Sequence, residues 1–264
     1  MKNLFSFLLC LTIILPVIAQ DELVANRTEE EVIIDGIANE WKHKFNVGED
    51  GKLAFAISND SKFLYLCIQS LDRTIQQKIT RSGMVVNLRS KGKNNIKATI
   101  NYPLKSNLTL ENNAPISIGQ NPGTQPNRQE MRQQVLDRCV EMKVKGLRSQ
   151  KGKVPSKNEN GLNAAIKWEA EQLLSYELSI PLTELFAESH TEGDLNIPLT
   201  LKLTVNALPE PQRPSTGAGG GRGGSRGGGG RGGGMPPAGS GQSTQGSMYN
   251  TTTLKQVFLL NTGK

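Results

Sequence analysis

Along this chain of 264 residues, apolar and polar positions alternate with the period of a strand more often than with that of a helix. Leu53 to Ser58 alternates, and Phe63 to Ile68 is a nearly continuous apolar run that reads as a buried strand. Asn59-Asp-Ser-Lys62 between them is a tight polar turn. Gly83 to Leu88 and Lys97 to Tyr102 flank the basic stretch Arg89 to Asn95 and read as a hairpin. Val140 to Val144 alternates, and Leu162 to Trp168 with Tyr176 to Ile180 forms a second hairpin around Glu169 to Leu174. Leu199 to Val205 alternates again, and Val257 to Leu260 closes the chain. Near the start, Val32-Ile-Ile34 is a short strand-like run ending in the turn signal Asp35-Gly36. Helix is scarce. Asn127 is a candidate N-cap for a helix reaching Arg138, with Glu130 three residues on. Pro181 to Phe186 reads as a short helical turn after a strand. About nine to eleven short strands separated by turns predict an all-β fold, a β-sandwich with one short helix.

Two segments stand outside this pattern. From Leu4 to Ile18 the chain is apolar except for Ser6, Thr12 and Pro16, behind Lys2 and ahead of Val17-Ile-Ala19 and the acids Asp21 and Glu22. A basic start, an apolar middle and a small residue at the end form a secretory signal peptide, residues 1–19. The run is about 15 residues, short of the roughly 20 that a spanning helix needs, so no transmembrane span is expected after cleavage. Cys10 lies within the run and lacks the small residue before it that lipid attachment would want.

Residues 209–250 are the second. Between Gly217 and Gly246, 16 of 30 residues are glycine, with Arg222, Arg226 and Arg231 set among them. Such a tract has little apolar area to bury against its chain entropy and is expected to be disordered. Strand-like runs precede and follow it, so it reads as an insertion into one domain, 20–208 with 251–264. Loop closure grows only logarithmically with length, so a sandwich tolerates it.

Composition narrows the function. Hydrophobic residues make up 36% of the chain, enough for a core, and the formal net charge is +7. The charge is blocked: residues 21–60 hold ten acids and four bases, and residues 61–110 hold one acid and nine bases. The basic segments 73–105 and 128–157 are either ordinary solvated faces or a surface that meets an anionic polymer. Export leaves Cys67 and Cys139, which are either buried thiols or a disulfide.

Catalytic patterns are missing: there is no G-x-S-x-G, no H-E-x-x-H and no Walker loop. His43 and His190 each stand alone in polar runs, and Glu169 and Glu171 read as solubilising charges at a hairpin tip. No enzyme is expected. The arginine-glycine tract carries three arginines and no interleaved aromatic residue, so no nucleic acid partner is expected either.

The most specific local signal is Val32-Ile-Ile-Asp-Gly-Ile-Ala-Asn-Glu-Trp41, followed by Leu53–Ser58, Asn59-Asp60, Phe63-Leu-Tyr-Leu66 and Tyr176-Glu-Leu-Ser-Ile-Pro-Leu182. In this order the motifs resemble the family 9 carbohydrate-binding modules and the wider DOMON-like sandwiches of secreted bacterial proteins. The likeness covers roughly residues 30–205. It implies an antiparallel β-sandwich of Greek-key, immunoglobulin-like type, a non-catalytic binding module, secreted or periplasmic, whose partner is a polysaccharide or a component of the cell envelope. In sugar-binding members aromatic rings clamp the sugar and calcium steadies loops. Carried onto this chain, the aromatic candidates are Trp41, Trp168 and Tyr102, and the calcium candidates are Asp35, Glu40 and Asp60. Each has a plainer reading: core packing for the rings, and turn chemistry for the carboxylates. No other cofactor is implied. The alternative function is a structural or partner-interaction protein of the periplasm that uses the glycine-rich loop as a tether.

Overall fold

The fold is described here from a computed structural model that covers residues 23–30, 32–41, 45–91, 95–104, 127–169, 172–187, 191–210 and 247–263. The expected signal peptide, residues 1–19, the central glycine tract, His43, His190 and Glu171 fall outside these residues.

The chain is an all-β sandwich. Its strands are β1 (Leu23–Val24), β2 (Asn26–Arg27), β3 (Asn46–Val47), β4 (Ala54–Asn59), β5 (Phe63–Ser70), β6 (Met84–Ser90) and β7 (Lys97–Tyr102). There follow β8 (Glu141–Lys145), β9 (Gly152–Pro155), β10 (Asn163–Trp168), β11 (Leu174–Pro181), β12 (Leu199–Val205) and β13 (Thr252–Leu259). One sheet runs β1-β13-β12-β6-β7-β8-β9, and the other runs β10-β11-β5-β4-β2 with β3 also paired to β4. Pairing is antiparallel except at two edges, where β1 lies parallel to β13 and β2 parallel to β4. The expected sandwich is present, and parallel pairing enters it only where the N-terminal residues step between the two sheets.

The core forms where the pleats face each other. Met84, Val86 and Leu88 of β6 and Leu199, Leu201 and Leu203 of β12 point inward from one sheet. Leu64, Leu66 and Ile68 of β5 and Leu174, Tyr176, Leu178 and Ile180 of β11 point inward from the other. Each such side chain contributes ~1.5–3 kcal/mol on burial, before chain entropy is subtracted.

Both expected hairpins are present, Met84 pairing with Tyr102 across β6 and β7 and Ile166 with Tyr176 across β10 and β11. β12 and β13 are neighbours in register from Leu199–Phe258 to Val205–Thr252, so the chain on either side of the glycine tract enters one sheet. Lys78, fully buried, fixes this re-entry. Its Nζ donates to the carbonyl of Asn250 at 2.7 Å and to Thr252 Oγ1 at 2.8 Å. Burial lowers the pKa of that ammonium.

The helix starting at Asn127 is present as Arg128–Leu136, with Asn127 Oδ1 accepting from the Gln129 amide at 3.1 Å. Leu182–Leu185 forms the expected short turn. Helix α1 (Arg73–Ser82) was not anticipated. Asp72 caps it through the Ile75 amide at 2.9 Å, and Ile75 and Ile79, one turn apart, enter the core. Val32–Ile34 is not a strand. It runs without ladder partners as part of a strap, residues 32–41, lying across the outer face of the six-stranded sheet.

Candidate functional site

The outer face of the six-stranded sheet is set by the alternate positions of its strands. Phe63, Tyr65 and Cys67 of β5, Ala56 of β4, and Ser175, Glu177 and Ser179 of β11 all face away from the main core. The strap covers the middle of this face, packing Val32 and Trp41 on Ala56, Tyr65 and Cys67.

Glu177 holds the strap down. It is fully buried, and its Oε2 accepts from the amides of Asp35 at 3.1 Å and Gly36 at 2.8 Å. Its Oε1 accepts from Trp41 Nε1 at 2.7 Å. Burial pushes its carboxyl up to about 7, against the downward pull of these three donors. Glycine is required at 36. Its φ is +85°, and a Cβ there would sit 2.9 Å from the backbone of Ile166 and Lys167. Glu169 adds a second anchor: its Oε1 accepts from the Ala38 amide at 3.1 Å, from Gln69 Nε2 at 3.2 Å and from Ser175 Oγ. It is half-buried and structural, not the solubilising tip charge that the pattern suggested.

Beyond the strap, the same face opens into a cleft of about 1090 Å³. Three walls surround it: residues 27–30 with 32–34, the β4–β5 turn, and the loop from β9 to β10. The turn is built by Asp60, whose Oδ1 accepts from the amides of Lys62 and Phe63, each at 2.6 Å, and whose Oδ2 accepts from Tyr65 Oη at 2.9 Å. The third wall is braced by Asn158 and Ser179. Asn158 Nδ2 donates to the Leu162 carbonyl at 2.6 Å, and Ser179 Oγ donates to the Gly161 carbonyl at 2.7 Å. Gly161, with φ +79°, lies against the ring of Phe63, and a Cβ there would stand 2.5 Å from Phe63 Cε1. Phe63 is thus a half-buried ring, backed by Gly161 on one side and packed beside Tyr65 at a centroid distance of 5.8 Å. Exposed Lys62, Lys157 and Glu159 line the same opening, with the half-buried amides of Asn158 and Asn163. An aromatic wall among hydrogen-bonding groups suits a small polar ligand with an apolar face.

The aromatic candidates from the sequence lie elsewhere. Trp41 is 7% exposed beneath the strap and spends its N–H on Glu177. Tyr102 is 2% exposed in the main core, its hydroxyl donating to the Cys139 carbonyl at 2.9 Å and its ring edge-on to Tyr176 at 5.6 Å. Neither offers a ring face to solvent. Trp168 is half-buried at the end of β10, donating to Gln76 Oε1 at 3.2 Å with the Arg132 guanidinium 5.1 Å from its ring centre. None of the three lines the cleft.

Asp35, Glu40 and Asp60 do not come together either. Asp35 Oδ1 accepts from the Ile37 amide at 2.8 Å within the strap, while Asp60 is bound up in its turn on the cleft side. Glu40 Oε2 is buried without a hydrogen-bond partner among the described residues. Among the described residues, no three His, Cys, Asp or Glu side chains are grouped to hold a metal ion. Cys67 and Cys139 are both buried free thiols. Cys67 lies under the strap and Cys139 in the main core, so they do not bridge. Burial pushes Cys139 up to about 12, and burial with the carboxylates of Glu177, Glu169 and Glu40 pushes Cys67 upward too. These thiols are inert packing groups.

Among the described residues no helix is long and apolar enough to cross a membrane. No family model matches the chain, and no curated protein matches it. Solved structures do match. The chain is similar to a carbohydrate binding module of family 9 from Caldicellulosiruptor kristjanssonii in complex with glucose. Identity is 9% over 70% of this chain and 76% of that one, with a TM-score of 0.32.

Proposed function

We propose that the protein is a non-catalytic module, exported to the cell envelope, that binds a carbohydrate in the cleft beside Phe63. The observation that carries this reading is the half-buried Phe63 ring, fixed against Gly161 and surrounded by hydrogen-bonding side chains. Sugars present C–H faces to an aromatic ring and hydroxyls to amides and charges, and this wall supplies both kinds of partner. Asp60, at the turn that carries the ring, has both oxygens committed to the turn and to Tyr65, so it shapes the wall rather than standing free in it.

Calorimetric titration with neutral oligosaccharides tests the proposal. Phe63→Ala is expected to weaken binding by about tenfold or more, the scale of a lost aromatic contact. Trp168→Ala is expected to leave the affinity unchanged. A Phe63→Ala protein that binds as the parent does, or a parent that binds no neutral glycan, would overturn the assignment.

A partner-binding role for the glycine tract is the second reading. It draws on the pairing of β12 with β13, which returns the tract to the sheet it leaves. Deleting 214–247 separates the two: glycan binding should survive, and loss of it would favour the tract.

A further inference from the structure

The outward face of the seven-stranded sheet carries a charge arrangement that folding alone does not reward. Registers place Arg89 opposite Lys97, Lys202 opposite Lys255, and Lys143 opposite Lys153. All six side chains are exposed. Directly opposed residues on one face of an antiparallel pair stand about 4.5–5.5 Å apart at Cβ, and like charges there destabilise the sheet. β6, β7, β12 and β13 contain no acid, and β8 has only Glu141 at its first position. Among the described residues none of the six cations is held in an ion pair. Three unfavourable pairs on one face, whose single strand acid is Glu141 at the end of β8, make a cationic platform several strands wide.

We infer that this platform docks an acidic polysaccharide, one bearing carboxylate or sulfate groups along the chain. The residues between the cations favour that occupant. Asn87, Thr99, Asn101 and Thr200 fill the outward positions beside them, and Thr99 Oγ1 donates to Asn87 Oδ1 at 2.9 Å. Hydroxyls and amides between positive charges suit a polymer that alternates anionic groups with hydroxyls. No aromatic residue stands on this face to stack a nucleic acid base. Of the exposed large apolar residues only Val24 stands at an outward strand position of this sheet, on its β1 edge, and one edge valine is no wedge for a lipid surface. The platform is separate from the Phe63 cleft, and the inference does not depend on it.

The test uses polygalacturonate, single-stranded DNA and anionic phosphatidylglycerol vesicles as probes, each at low and at physiological ionic strength. The parent chain is expected to retain polygalacturonate, with affinity falling by about tenfold or more as screening shortens the reach of the charges. The triple reversal Arg89→Glu, Lys143→Glu, Lys202→Glu should abolish retention. The control Arg73→Glu, Arg81→Glu on α1, which carries two thirds of that charge change, should reduce it less than about threefold. A melting temperature at or above the parent's shows that the reversed chain is folded, since each change replaces a like pair by an opposite one. Phe63→Ala should leave retention intact, which keeps this result apart from failure of the cleft. Unchanged retention in the triple variant would overturn the inference. So would a parent that captures DNA or vesicles but not polygalacturonate.

Discussion

The two outward faces of the sandwich are treated in opposite ways. On the six-stranded sheet a strap covers the centre, and the ionisable groups beneath it are acids tied to named donors, Glu177 to three and Glu169 to three. On the seven-stranded sheet nothing among the described residues is strapped across the face, and its ionisable groups are opposed cations. Buried charge is tolerated only where hydrogen bonds satisfy it, so the acids act as fasteners. Exposed like charge costs little, but it costs something at every pair, so the cations are best understood through what they face outside the molecule.

Substitutions should break or sharpen this contrast, in descending order of effect. Glu177→Ala strands three N–H groups under the strap and is expected to cost ~3 kcal/mol or more in denaturant unfolding. In hydrogen exchange the amides of Asp35 and Gly36 should lose their protection. An unaltered midpoint would show that the strap is not fastened there. Trp41→Phe keeps most of the packing and removes one donor, so a loss of ~1–2 kcal/mol is expected by the same measurement.

The pH dependence follows from the same carboxyl. Unfolded, Glu177 titrates near 4.5, and folded it titrates near 7, so between these values the folded chain holds the extra proton. Its contribution to stability therefore declines as pH rises through that window and is level above it. Comparing parent with Glu177→Gln across the window isolates the effect: the difference between the two should shift with pH between 4.5 and 7 and stay constant on either side. The smallest effect belongs to the other face. Lys202→Glu, opposite Lys255, is expected to raise stability by ~0.2–1 kcal/mol. A loss of stability there would mean that the cations have partners which the register does not show.

How far the sequence disclosed this depends on the range of the interaction. The strands with long alternation, such as Leu199–Val205 and Lys97–Tyr102, were legible because period and burial coincide within a few residues. Helix α1 was concealed by its shortness, with only Ile75 and Ile79 to mark the buried side of a basic stretch. The strap imitated a strand because Val32 is buried and Ile33 exposed, yet no ladder forms. The cleft was harder still. Phe63 begins a run in which every residue looks like core, and only the tertiary arrangement reveals which face it joins and that Gly161 backs it. Glu177 left one trace, a carboxylate inside the strand-like Tyr176–Leu182 run. The platform was half visible as blocked charge, and the registers turned it into opposed pairs.

The proposed cleft is tested most directly by mapping amide shifts of the isotope-labelled chain during titration with a neutral oligosaccharide. Saturable shifts are expected at residues 60–63 and 158–163, with β6, β7 and β12 silent. Shifts confined to those three strands, or no saturable shift with any neutral glycan, would contradict the assignment of the Phe63 cleft as a sugar site.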